Sequence, residues 1–198
     1  MKQMKRIFPL LLLCLLLTGC RERPVQKEIF AMDTVMSFTV YGKHAVDGLN
    51  AAILQINQVE RLLDPELEGS TIWQFNHAEG KPVEISPFIS NMLLTAGDVS
   101  AKSGGALALS VYPAVKAWGF IDGNYTVPDA ATLESLRPFV DDSAVSCWEG
   151  EGAQWAQMPA DMELSFGAAA KGAAAQEVID TLRDVGVKSA ILSLGGNV

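Results

Sequence analysis

The chain has 198 residues, a formal net charge of −8 and a mean hydropathy of +0.20. With 23 acidic residues against 15 basic ones, it lacks the cationic surface that nucleic acid requires, so no nucleic-acid partner is expected. That length is enough for one ordinary domain with a sizeable core.

The first segment is built for export. Lys2, Lys5 and Arg6 precede a run from 7 to 17 that is mostly Leu, broken by Phe8, Pro9 and Cys14. As a helix these 11 residues rise about 16 Å, roughly half the hydrocarbon thickness, so the run is too short to remain as a membrane anchor. Leu17-Thr18-Gly19-Cys20 places small residues before a cysteine, the pattern of a lipobox, in which the thiol is acylated before the peptide is cut. The expected organisation is a signal peptide over 1–19, a lipidated tether over 20–28 and a folded domain over 29–198. The expected location is the extracytoplasmic face of a cell membrane, held by lipid on Cys20. Cleavage leaves 12 basic residues against 23 acidic ones and takes the formal charge to −11. Cys14 leaves with the signal and Cys20 carries lipid, so Cys147 stands alone and neither an intrachain disulfide nor a cysteine metal site is expected. Its expected role is that of a small, half-buried apolar residue.

Residues 29–41 are rich in β-branched and aromatic types and alternate from Val35 onward, which predicts a strand or a strand pair. Val46, Leu49, Ile53, Ile56, Val59 and Leu63 recur every three or four residues and predict a helix over 45–63 that Asp64-Pro65 ends. Ser70 can cap a short helix carrying Ile72, Trp73 and Phe75, and 81–85 reads as a short strand. Ser86-Pro87 is an N-cap followed by proline at the first helical position. The helix it opens presents Ile89, Met92, Leu93, Ala96 and Val99 on one face and closes at Gly104-Gly105. Mixed signals follow: a Trp118-Gly119-Phe120 corner, a turn at Asp122-Gly123-Asn124 and a short helix after Pro128. Two or three short strands are expected over 145–166, with a hairpin turn at 149–152, then an Ala-rich helix over 167–184 ended by Gly186, and a buried strand over 188–194. Strands and helices without strict alternation predict an α+β domain, a single mixed α/β unit.

Leu164-Ser165-Phe166-Gly167-Ala168-Ala169-Ala170-Lys171-Gly172 reads as a strand, a small-residue turn and a helix with lysine in its first turns. Small side chains let a ligand approach the backbone, and free amides with the helix dipole favour an anion. The spacing is not that of a P-loop, and tight helix–sheet packing explains the same residues. Gly195-Gly196-Asn197 again puts small residues at a strand end. Met32, Trp73, Tyr112, Trp118 and Phe120 are of the kind that can sandwich a flat heterocycle, or simply pack a core. His44 and His77 lack a companion motif, so surface or capping roles are expected; Asp64, Glu66 and Glu68 read as a solvated acidic loop.

Taken together, the lipobox, Ala31-Met32-Asp33-Thr34, the turn over 70–76, Gly104-Gly105-Ala106 running on to Trp118-Gly119-Phe120, Phe166 to Gly172, and Leu194-Gly195-Gly196-Asn197 resemble the FAD:protein FMN transferases, the ApbE family of flavin-transferring lipoproteins. The resemblance covers essentially the whole mature chain. It implies an ApbE-type fold and a reaction that splits FAD at its pyrophosphate, joins FMN to a Thr or Ser hydroxyl of a target protein and releases AMP. FAD as substrate, Mg²⁺ as metal and, as acceptor, a flavoprotein subunit of a membrane electron-transfer complex are implied with it. By position, Met32 is expected at the flavin end of FAD, Ala106, Leu107 and Ala108 at the nucleotide, and Lys171 near the phosphates. Ala168 is expected to offer a backbone carbonyl to the metal, and Glu66 stands where relatives often place an aromatic residue against FAD. Ser165 and Ala108 stand where relatives commonly carry Asp, which alters two polar contacts. The family continues past the Gly-Gly-Asn turn with a second half that supplies metal-binding Asp and Thr side chains, so the chain reads as the N-terminal part of such a transferase. The second reading is a non-catalytic flavin- or nucleotide-binding lipoprotein, and the third an extracytoplasmic solute-binding lipoprotein, which predicts two similar lobes.

Overall fold

A computed structural model of the chain describes residues 23–196. The signal of 1–19, Cys20 and Asn197 lie outside the described residues.

The segment expected as a strand or strand pair is a hairpin, β1 (Val25–Ala31) and β2 (Thr34–Tyr41), paired antiparallel from Val25↔Val40 to Ala31↔Thr34. β2 alternates as the sequence does, with Met36, Phe38 and Val40 buried and Val35 exposed. β1 begins at Val25, so residues 25–28 belong to the sheet and not to the tether. Their ladder with β2 is made of main chain, and an edge strand tolerates the polar Gln26, Lys27 and Glu28.

α1 (Ala45–Leu63) runs as its periodicity requires and buries Leu49, Ala52, Ile56, Val59 and Leu63, while Val46, expected on the same face, is exposed. α6 (Ala170–Asp184) packs against α1. The close approach at this end of the domain depends on Gly48, where an added Cβ would stand 2.4 Å from Val187 Cγ2. β6 (Ser189–Leu194) pairs with β2 in the order β1-β2-β6, all antiparallel. β6 was expected to be buried. It is an edge strand in which Leu194 is buried and Ile191 is 51% exposed.

Ser70 accepts from the Trp73 amide to cap α2 (Thr71–Asn76), and Ser86 accepts from the Ile89 amide to cap α3 (Pro87–Lys102), both as expected. Val99 is the exception on the α3 face, lying exposed near its end. α4 (Tyr112–Ala117) and α5 (Ala130–Leu136) fill the mixed region. A second antiparallel sheet, in the order β3-β5-β4, joins β3 (Val83–Ile85), β4 (Ser146–Gly150) and β5 (Ala153–Gln157).

The run ending at Phe166 forms no strand, although Leu164 and Phe166 are buried as strand residues would be. Asn76 replaces the missing neighbour: its side chain accepts from the Leu164 N–H at 2.9 Å and donates to the Leu164 carbonyl at 3.0 Å. One amide side chain thus satisfies the backbone pair that a sheet ladder would otherwise take. The mixture of sheets and helices is the α+β arrangement expected.

Candidate functional site

The sheet β1-β2-β6 and the helices α1 and α6 bring three chain segments to one end. The hairpin turn contributes Met32 and Asp33, the end of α1 contributes Glu60, Leu63 and Asp64, and the approach to α6 contributes Ser165, Phe166, Gly167, Ala170 and Lys171. They line a cleft of about 230 Å³. Met32 and Asp33 both take positive φ, 50° and 57°, as a two-residue hairpin turn with right-handed strand twist requires. A methionine pays for that conformation, whereas an Asn or Gly would not. The Met32 N–H donates to Glu60 Oε1 at 2.6 Å, which ties the strained turn to α1. Gly195 closes the same end from β6 with φ +69°; a Cβ there would meet Thr34 Oγ1 at 2.8 Å and Lys171 Cε at 3.2 Å. Met32, Ser165 and Lys171, distant in sequence, therefore share one cleft.

The small-residue turn uses more of its own amides than expected. Ala169 and Ala170 both donate to the Phe166 carbonyl, at 2.8 and 2.7 Å, and Gly167 donates to Ser165 Oγ at 3.2 Å. An anion here would rest on the Lys171 ammonium and the remaining helix dipole, and less on a nest of free amides. The first helical residue is Ala170, three later than the expected boundary, because Gly167 to Ala169 form this turn. Ala168 sits exposed within it.

Ala106, Leu107 and Ala108, like Glu66 and Ala168, are not among the residues that line the cleft, but the residue after Ala108 abuts one of them. Ser165 N–H donates to the Leu109 carbonyl at 3.1 Å, so Ala108 lies one residue from the strand-like run that carries Ser165. Asp142 anchors this crossing: Oδ2 accepts from the Leu109 amide at 2.7 Å, while Oδ1 accepts from the Ser110 amide at 2.9 Å and its hydroxyl at 2.5 Å. Sequence reasoning missed Asp142, for which no local pattern exists at a separation of 32 or 33 residues.

Glu66 and Glu68 of the acidic loop are exposed, as expected, but the loop is ordered by its own side chains. Asp64 Oδ1 accepts from the amides of Glu66 and Leu67, at 2.8 and 3.2 Å, and the Asp64 carbonyl accepts from Ser70 Oγ at 2.5 Å. Tyr112, 2% exposed, donates its phenol to Glu66 Oε1 at 2.5 Å. Burial first, then the Glu66 hydrogen bond and the carboxylates of Glu66, Glu163 and Asp64, push the Tyr112 phenol far above its ordinary range.

The other aromatic candidates stand apart. Trp73 stacks on His77 with centroids 4.1 Å apart, and Trp118 stacks on Phe120 at an outer corner where Phe120 is exposed. His77 Nδ1 lies 2.8 Å from the Trp73 carbonyl, and His44 sits at the start of α1. His77 fits the surface and capping role expected of it, while His44 occupies the N-cap position without a side-chain cap bond. Cys147 is half-buried and burial pushes its thiol up, in line with a packing role.

Among the described residues no three His, Cys, Asp or Glu side chains gather as a metal ion would need. A larger groove of about 660 Å³ runs between α6 and β6. Its floor is mostly apolar, Ile179, Leu182, Val187, Leu192 and Leu194 among others, and it shares Lys171 with the smaller cleft. The smaller cleft is the candidate chemical site, because carboxylates, a hydroxyl and an ammonium converge there. No helix among the described residues is long and apolar enough to cross a membrane.

A family model described as the ApbE family matches residues 32–198. The chain is 34% identical over 144 residues to an FAD:protein FMN transferase of Klebsiella pneumoniae (strain 342), a match covering 72% of this chain and 45% of that protein. It is 28% identical over 189 residues to an FAD:protein FMN transferase of Treponema pallidum (strain Nichols), covering 90% of this chain and 52% of that one. Among solved structures, the Pseudomonas stutzeri flavinyl transferase ApbE in its apo form superposes with a TM-score of 0.77 at 21% identity, covering 88% of this chain and 57% of that chain. The flavin transferase ApbE from Vibrio cholerae superposes with a TM-score of 0.75 at 19% identity. The chain spans about half the length of the curated relatives it matches.

Proposed function

The chain belongs to the ApbE family, and from that premise we propose that it acts in FAD:protein FMN transfer, moving FMN from FAD to a Thr or Ser hydroxyl of a target flavoprotein. The hydroxyl oxygen attacks the phosphorus of the FMN half, the bond from that phosphorus to the bridging oxygen breaks, AMP leaves with that oxygen, and the hydroxyl proton passes to a base. The observation that carries this reading is the convergence of Met32, Ser165 and Lys171 on one cleft, since the family resemblance implies an FAD contact at each of these positions.

Lys171 neutralises phosphate charge at the start of α6, where the helix dipole adds to it. Asp33 and Asp64 are the carboxylates available to take the proton, while Glu60 is engaged by the Met32 amide. Met32, held in its unusual conformation, offers a thioether beside the flavin. A volume of about 230 Å³ accommodates part of FAD, and the remainder would lie over 106–108 and Glu66. Three carboxylates against one ammonium repel a pyrophosphate, which is the reason to expect Mg²⁺ as counter-ion in the reaction. Among the described residues, the carbonyl of the exposed Ala168 is the group that the resemblance offers to that ion.

The lipobox supports a location on the extracytoplasmic face of a membrane, anchored by lipid on Cys20, where the acceptor subunit of a membrane electron-transfer complex would meet the protein. The test is to incubate the chain with FAD, Mg²⁺ and a Thr-bearing acceptor domain, then read in-gel flavin fluorescence and released AMP. Fluorescent acceptor with one AMP per flavin supports the reading. FAD binding without transfer leaves a flavin-binding protein and removes the transferase.

A further inference from the structure

The bond from the Ser165 N–H to the Leu109 carbonyl, 3.1 Å long, joins the cleft to a buried crossing of the chain. That carbonyl belongs to the same peptide unit as the Ser110 N–H, which donates to Asp142 Oδ1 at 2.9 Å. A trans peptide is planar, with its N–H and C=O pointing opposite ways, so holding the first aims the second. Asp142 grips the unit twice more, through the Leu109 amide on Oδ2 and the Ser110 hydroxyl on Oδ1. A carboxylate on the N–H also polarises the carbonyl across the unit and strengthens the bond that carbonyl accepts.

Packing alone does not hold the crossing. A cavity of about 260 Å³ lies beside it, lined by Leu93, Leu94, Leu109, Val145, Cys147 and Leu164 among others. Ser110 is fully buried, and one carboxylate satisfies both its amide and its hydroxyl. Asn76 fixes the backbone of Leu164 but leaves the Ser165 N–H to Leu109. From Ser165 the path enters the cleft, since its hydroxyl lines that space and accepts from the Gly167 amide at 3.2 Å, in the turn that leads to Lys171.

We infer that Asp142 is a positioning residue for the cleft: by orienting the Leu109–Ser110 peptide it fixes Ser165, and through Ser165 the turn beside Lys171. Asp142 is not among the residues that line the cleft, so it acts through the backbone and not by contact with a ligand. The inference rests on the reading of FAD as the ligand of that cleft.

The experiment compares the full chain with Asp142→Ala, Asp142→Asn, Ser110→Ala, Ser165→Ala and the double variant Asp142→Ala with Ser165→Ala. Each is titrated with FAD, melted, and followed by amide hydrogen exchange at Leu164 and Ser165. Asp142→Ala should weaken FAD by about five- to tenfold, and Asp142→Asn, which keeps one acceptor oxygen, by less. Ser110→Ala loses the buried hydroxyl but leaves the peptide gripped, so it should lower the melting temperature and keep FAD affinity within about twofold. In both Asp142 variants the Ser165 amide should exchange at least about fivefold faster, while the neighbouring Leu164 amide, held by Asn76, keeps its rate. The double variant should bind no worse than the weaker-binding single, because Asp142 acts through Ser165. In turnover the loss should fall on the KM for FAD, whereas a smaller folded fraction would lower kcat alone. Asp142 variants that melt lower with FAD affinity unchanged would make the residue purely structural and overturn the inference. So would Leu164 and Ser165 amides that accelerate together, or effects of Asp142→Ala and Ser165→Ala that add. Should Asp142→Ala not fold, Asp142→Asn carries the same comparisons. A wild-type chain that binds FAD in those cases leaves the functional reading standing; one that binds none removes both.

Discussion

The two loops that meet at the cleft are built in opposite ways. The loop from Asp64 to Ser70 is held by side chains: Asp64 gathers two amides, Ser70 reaches back to a carbonyl, and Tyr112 fixes Glu66. The turn from Ser165 to Ala170 is held mainly by main chain and by burial of Phe166, 1% exposed, with one side-chain bond at Ser165 and with alanine and glycine leaving its outer surface bare. In the first loop chemistry resides in groups that are present and oriented. In the second it resides in the absence of groups, which leaves room beside Lys171. Deleting atoms should damage the first, whereas in the second only the buried anchor and the ammonium should matter.

The sharpest way to break that contrast is Phe166→Ala. Removing a fully buried aromatic anchor should destabilise the fold by about 3–5 kcal/mol, read from the midpoint of urea unfolding. A loss near zero would mean that backbone hydrogen bonds alone hold the turn. Next in size, Lys171→Ala should remove about 1.5–3 kcal/mol of FAD binding, tenfold or more, while the urea midpoint barely moves. If stability falls and FAD affinity does not, the lysine is a packing residue. Ser70→Ala comes third: it deletes the α2 cap and the bond to Asp64, and should cost about 1–2 kcal/mol. An unchanged midpoint would show that the side-chain framework of the acidic loop is dispensable.

The smallest effect concerns pH. The Tyr112 phenol titrates higher in the folded chain than its ordinary value of 10.0. Above that value the unfolded chain releases this proton while the folded chain keeps it, so stability is fully present below pH 10 and declines as pH rises further. Denaturant unfolding between pH 9 and 11 should show the decline, and Tyr112→Phe should flatten it. An equally steep decline in the variant would assign it to other groups.

Much of the scaffold was legible in sequence. α1 and the Ser70 and Ser86 caps were read close to their bounds, since periodicity and capping act within a few residues. Errors came where partners were remote. The run at 164–166 has the composition of a strand, but Asn76, 88 residues away, takes the hydrogen bonds of Leu164. The acidic loop is solvated as its composition implies, but part of its order comes from Tyr112, 46 residues on. Val25 to Glu28 look like a tether because a ladder made of main chain leaves little trace in side-chain polarity.

Sequence by itself determined the elements, the small-residue turn with its lysine and the series of motifs that resembles one family. Tertiary structure decided that the hairpin tip, the end of α1 and the start of α6 form one cleft, that Met32 takes a strained turn against Glu60, and that β6 is an edge. The physical reason is range. Propensities, caps and periodicity are set by neighbours three or four residues apart, whereas a site is made by hydrogen bonds and packing between segments whose separation no local pattern encodes.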